Sequence, residues 1–458
     1  MSVSTLTAGV THPAPGGGPV EAPSQATPRR REHLYSIDLV RVLTIVMVIA
    51  VHTITISVSS FTNSVGGLTM VFHASREVFF ILTAFVLAYG YGYGPVRWPS
   101  FWRKRYLCVV VPYVAWTVVY FAGNGNHFLP LPSAVRTIEH DLLTGTAEYH
   151  LYFLLVSMQI YLVFPVVRWV LHVSRHHHGR LLVAGAAFQV VFSLAVQQQW
   201  VTSGVLGRWL ANPDALLPSY PFYVLLGAVA AWHLDQLTKW TRSHVRLVLT
   251  GAAGSVAIGL GAFFAQVYLG RQPAYLASAV FQPVMVIESL GIAWALLVAG
   301  IAWVDHGTPA RRLVMACSEA SFGIYLAHPL ILQGLLVAAS ATGLLAASSH
   351  FPVGAVLAVL VVLAVPFIYL CSGVGTALAR RTPLSLALTG RPRLQVAWSA
   401  WRRPTLTPRS AEVTTGGTSV HRPRIRWGST AEPSPRLEPS PNLTGDRATP
   451  TTTTRRDQ

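Results

Sequence analysis

Ten apolar runs, most of them about 17 to 25 residues long, recur along this chain, near 37-59, 74-93, 106-122, 150-171, 181-199, 216-234, 247-268, 279-303, 313-339 and 352-375. A run of that length is what an α-helix needs to cross the hydrocarbon of a bilayer. The rest of the composition agrees, because 52% of the 458 residues are hydrophobic and only 11% are charged, which excludes a soluble core. The expected fold is an all-α polytopic membrane protein of about ten transmembrane helices over 35-375. Residues 1-34 before it, and an Arg-, Pro- and Thr-rich tail over 376-458 behind it, read as disordered cytoplasmic segments.

Charge gives the same count independently, because cytoplasmic loops are enriched in Lys and Arg. One set of alternate loops holds Arg97, Arg103, Lys104 and Arg105, then Arg168, Arg175 and Arg180, then Lys239, Arg242 and Arg246, then Arg311 and Arg312. The other set holds Arg136, Arg208 and Arg271. Arg29, Arg30 and Arg31 ahead of the first run, and the arginines behind the last, side with the first set. Both termini are therefore expected in the cytoplasm, with an even number of passes.

The net charge of +17 would suggest nucleic acid in a soluble protein, but here its location decides. Residues 376-458 carry 14 Arg against 5 Asp or Glu, and a basic segment beside a membrane is expected to touch anionic headgroups rather than nucleic acid. About 36 polar residues precede the first run, so no cleavable signal peptide is expected and the first run should stay in the bilayer as an anchor. Cys108, Cys317 and Cys371 lack metal-ligand spacing, and neither a disulfide framework nor a metal site is expected. Neither a Walker sequence nor a dinucleotide fingerprint supports ATP-driven transport or a resident cofactor.

An ionisable side chain in hydrocarbon costs several kcal/mol, so one that persists there is a functional candidate. Arg41 and Arg76 are cations inside predicted spans, Arg168 falling near the end of its own, and Arg41 shares the first span with His52. Eleven residues at about 100° each bring the two onto one face, about 16 Å apart along the axis. Asp38, one turn before Arg41, is a local partner that would also suit a snorkelling anchor. In the ninth span Ser321, Tyr325 and His328 stand at i, i+4 and i+7, again one face, and Pro329 is expected to kink the helix just beyond. His52 and His328 both fall about 22 Å in from the cytoplasmic end and should meet at one level. Arg76 and Glu77, His150, Tyr152, Gln159 and Glu288 are further candidates to line a site, with structural hydrogen bonding the plainer reading for Gln159 and Glu288.

Two histidines at one depth suit a general base and its helper, and a distant arginine suits an anionic ligand. That division fits acyl transfer across the membrane. A cytoplasmic acyl-CoA would hold its phosphates near Arg41, Arg103, Lys104 and Arg105, and His52 would deprotonate an acceptor hydroxyl.

These residues resemble acyltransferase family three, the integral membrane O-acyltransferases of bacterial type. The likeness covers about residues 35-375. It is carried by Arg41, ten residues, then His52; by Arg76 to Phe85, loosely matching a Val-Asp-Leu-Phe-Phe-Val-Leu-Ser-Gly-Phe element with Thr83-Ala84 in place of Ser-Gly; by Phe101 to Leu107 before Pro112; by His150 to Leu154 before Pro165; and by Ser321 to His328. The resemblance implies ten core helices in a bacterial plasma membrane and acyl-CoA, with acetyl-CoA the expected case, as co-substrate. It also implies an extracytoplasmic or lipid-linked glycan of the cell envelope as acceptor, and an essential first-span Arg and His. The hydrolase-like domain that some relatives append has no counterpart expected in the tail. Acylation of a secondary-metabolite sugar, and a secondary transporter or glycolipid flippase, remain as alternatives.

Overall fold

The structure, a computed structural model, describes residues 32-394 apart from residues 59 and 93. It is helical throughout this range: α1 Tyr35–Ser57, α2 Asn63–Tyr91, α3 Trp98–Gly123, α4 Leu131–Thr144, α5 Tyr152–Val173, α6 His178–Gln197, α7 Gly204–Ala211, α8 Pro221–Trp232, α9 Leu234–Ser243, α10 Val245–Tyr268, α11 Ala274–Ala277, α12 Met285–Asp305, α13 Arg311–Ala341 and α14 Leu344–Ser348. The last pass joins α15, Val353–Val359, through a π-helical turn at Leu360–Ala364 to α16, Val365–Ala379, and α17, Ser385–Thr389, follows. Among the described residues nine helices are long and apolar enough to cross a membrane, and α8, where the sixth pass was expected, is a shorter apolar helix. The chain is a multi-pass membrane protein.

Several spans differ from the sequence reading: α3 starts at Trp98, eight residues before 106, α12 starts at Met285, six after 279, and three others differ for identifiable reasons. The second begins eleven residues before 74, because Asn63 to Thr69, polar and glycine-bearing, is helical rather than looped and buries Val65, Gly66, Gly67 and Thr69. Thr62 caps it by accepting a hydrogen bond from the Val65 N–H, and Gly66 packs where any Cβ would collide with the Phe263 ring of α10. The sixth shrinks to α8, whose start is set by Pro221 at the first turn and a 3-10 turn at Leu217–Ser219. The boundary drawn at 375 is corrected: it falls inside α16, and residues 376-394, assigned to the tail, are folded onto the bundle. The predicted disorder of 1-34 and of the remaining tail lies almost wholly outside the described residues.

Helix α2 runs through the centre, packed against α1, α5, α8, α10 and α12, while α1 also meets α12, α13 and α16. Two large apolar cores result, beside a small third one around Ile54, Val65 and Leu357. One surrounds α2, α5, α8 and α12, the other α1, α3, α13 and α16, and Phe153 and Tyr161 of α5 pack against both. The seam between the cores is where the bundle opens.

Candidate active site

A cavity of about 690 Å³ opens on the arginine-poor side, the one expected to face outward. Its walls come from α1 (His52), α2 (His73, Arg76, Phe79), the turn before α5 (Tyr149, His150) and the loop 212-216. His52 faces this space with its ring centroid 4.3 Å from that of Tyr149 and 5.5 Å from that of His328. His150 lies 5.3 Å from His328, so three imidazoles gather here, His52 and His150 on the cavity wall and His328 buried behind them, and the equal depths of His52 and His328 led one to expect that those two would meet.

Proline chemistry orients the second histidine. Pro329 has no N–H, which deprives the carbonyl four residues back, that of Tyr325, of its helical donor. His328 Nδ1 takes that place, 2.7 Å from the Tyr325 oxygen. A carbonyl only accepts, so Nδ1 carries the proton and Nε2 is left as a lone pair. Nε2 is fully buried without a partner, and so are both nitrogens of His150. The Tyr325 hydroxyl in turn donates to the His150 carbonyl at 2.6 Å, tying α13 to the turn before α5. Tyr149, outside the spans, carries a buried hydroxyl with no hydrogen-bond partner; burial, then the nearby Glu148 carboxylate, push it above its ordinary pKa, so it stays protonated and able to donate.

Arg76 is an interior residue rather than an interfacial one. It donates through Nε and Nη2 to Glu77 Oε1 at 3.0 and 2.7 Å and through Nη1 to Asp214 at 2.8 Å, with the Tyr220 and Phe281 rings against its guanidinium. Gln159 accepts from the Leu217 N–H and donates to the Ala215 carbonyl, so these two side chains pin the outer loop over the cavity. Glu288 sits elsewhere, buried at the α10–α12 contact against Gly259.

A second cavity, of about 270 Å³, lies on the arginine-rich side, the one expected to face the cytoplasm, and is lined by Arg41, Arg105, Ser318, Ser321 and Arg391 among others. Arg41 donates to Ser318 Oγ at 3.0 Å and lies 3.6 Å from Asp38, while Ser318 donates to Asp38 at 2.6 Å. Arg103 and Lys104 are exposed and do not line this cavity. At about 100° per residue three consecutive cations cannot share a face, and only Arg105 turns inward.

Phe79, Phe153 and Tyr325 line both cavities. Their ring centroids are 5.4, 5.6 and 5.9 Å apart, so they form one aromatic wall across the seam. Ser321 lies below this wall, one turn from Tyr325, and so does not join His52. Tyr152 lies above it.

Tyr149, His73, Asp214, Phe79, Phe153 and Arg391 were not singled out from the sequence. His73, one turn before Arg76 on α2, was open to detection by helical spacing. The others depend on loop placement or on packing between distant helices. Among the described residues no group of three or more His, Cys, Asp or Glu is arranged to hold a metal ion.

The family model of an acyltransferase domain, family three, matches residues 34–371. No curated protein and no solved structure matches the chain.

Proposed function

We propose, for a chain that belongs to this family of acyltransferases, that the donor is a cytoplasmic acyl-CoA, most simply acetyl-CoA, and the acceptor a hydroxyl of an extracytoplasmic or lipid-linked glycan. The observation that carries this is the pairing of two opposed cavities, one bearing arginines and one bearing His52, with a single layer of rings between them. The CoA phosphates sit among arginines at the inner mouth. The pantetheine arm brings the thioester up to the aromatic wall, and the acceptor enters from the outer side. His52 takes the proton of the acceptor hydroxyl as its oxygen attacks the thioester carbon. The Tyr149 hydroxyl is free to donate to the oxygen that becomes negative. Collapse expels the CoA thiolate, which takes up the proton from His52. The ester bond forms as the thioester bond breaks, and His52 is returned neutral.

Two opposed cavities would also suit a secondary transporter, and the reactions differ in what they release. Membranes containing the protein, supplied with acetyl-labelled acetyl-CoA, are expected to liberate free CoA and to place label on an envelope glycan or glycolipid found by mass spectrometry. Label on a small secreted glycoside instead would identify a secondary-metabolite acceptor, and no CoA release with any acyl-CoA would overturn the reading. Arg41→Ala is expected to raise the KM for acyl-CoA by about tenfold or more, since it removes charge-assisted hydrogen bonds to phosphate. An unchanged donor KM would refute the assignment of Arg41.

A further inference from the structure

Beyond the last membrane pass the chain turns back onto the bundle. Trp116 of α3 donates to the Leu388 carbonyl at 3.2 Å, Ser385 Oγ donates to the Arg391 carbonyl at 2.8 Å, and the Leu394 N–H donates to the Arg380 carbonyl at 2.9 Å. Gly390, with φ +64°, makes the reversal and packs so tightly that a side chain there would strike the Cys108 carbonyl and the Phe322 ring. These bonds fix the backbone of Arg391 independently of what its side chain does.

That side chain lines the inner cavity with Arg41 and Arg105, and no carboxylate lines the same cavity. Arg391 is 3.8 Å from Glu319, which it shares with Arg380 at 3.6 Å and which is half exposed. Burial first, and Arg380 among its neighbours, lower the proton affinity of Arg391 against the pull of Glu319, yet an arginine keeps its charge at neutral pH. Three guanidinium groups drawn from α1, α3 and the segment after α16 thus face one cavity of about 270 Å³, while the carboxylates near them, Asp38 beside Arg41 and Glu319 beside Arg391, stand outside its lining. Like charges brought together in a partly dry cavity repel, and a ligand bearing several negative charges relieves that repulsion. Planar forks also suit phosphate oxygens better than they suit a single carboxylate.

We propose that Arg391 completes, with Arg41 and Arg105, a site for the phosphate groups of a CoA thioester, so that the segment following the last pass is part of the donor site. This deepens the acyl-CoA reading above and rests on it. The substitution Arg391→Gln removes the charge and leaves the backbone bonds of the segment in place, and Arg391→Lys restores charge without the fork.

The test is CoA binding to the full-length protein in nanodiscs, by calorimetry, in zwitterionic and in anionic lipid, with pantetheine as the ligand that lacks the nucleotide. Arg391→Gln is expected to weaken CoA binding about ten- to a hundredfold in both lipids, to reduce the preference for CoA over pantetheine by the same factor, and to be partly repaired by Arg391→Lys. Wild-type affinity for CoA in the glutamine variant would overturn the proposal. An effect confined to anionic lipid would overturn it as well, and would assign Arg391 to a phospholipid headgroup. Equal losses for CoA and pantetheine would overturn it in favour of a purely structural segment. A wild type that binds no CoA would instead remove the donor reading on which the proposal rests.

Discussion

His52→Ala is expected to lower acyl transfer by about two to four orders of magnitude, the span ordinarily contributed by a positioned base, while the protein inserts and melts as the wild type does. His328 lies buried behind His52 with its Nδ1 proton committed to the Tyr325 carbonyl, and His150, on the same cavity wall, is only 2% exposed. The stacked His52 and His328 rings share no hydrogen bond, so the loss falls on the chemical step and not on the architecture. His52→Gln, which keeps much of the bulk, should be as inactive as the alanine variant. The measurement is kcat from labelled acyl-CoA in membranes with matched protein, and activity within threefold of wild type in either variant would remove His52 as the base.

The second large effect is on stability. Arg76→Ala leaves the Glu77 carboxylate, 1% exposed, without its cation, and one of its oxygens already has no partner. Breaking a buried pair in this way costs about 3–5 kcal/mol. The same substitution releases Asp214 and with it the loop above the outer cavity. The folded yield in detergent and the thermal midpoint should both fall sharply. The double change Arg76→Met with Glu77→Leu should recover much of the loss, because replacing both members of a buried pair by apolar groups is often near neutral. Asp214 is half exposed and can turn to water. If the single variant melted where the wild type does, the pair would not be holding α2 in place.

How much of this was legible in the sequence varies by the kind of information each feature needs. Helical periodicity is local, so the alignment of Arg41 with His52 and of Ser321, Tyr325 and His328 could be read directly. Those two faces do run along the seam, one from the inner cavity to the outer and the other through the wall. Depth counting brought His52 and His328 to the same level because both helices start at the same side. What periodicity does not carry is the arrival of a loop or a chain end. Tyr149, Asp214 and Arg391 reach the site by such routes. The cluster Arg103, Lys104 and Arg105 shows the opposite error, in which a run of like charges looks like a patch although a helix points its members in different directions. Glycines at 66 and 67 hid the start of α2, since low helix propensity was outweighed by close packing against Phe263.

The rings of Phe79, Phe153 and Tyr325 have a consequence for the cell as a whole. A path that carries an acyl group from one face of a bilayer to the other is also a path that water and ions could follow. Each elementary charge that leaks inward gives up about 2.3 kcal/mol for every 100 mV of membrane potential. A continuous aqueous passage between the two cavities would be a conductance in any membrane that holds an electrochemical gradient. Three packed aromatic rings stand between the two cavities as insulation and, on the acyl-CoA reading proposed above, leave the thioester only one layer of side chains short of the base.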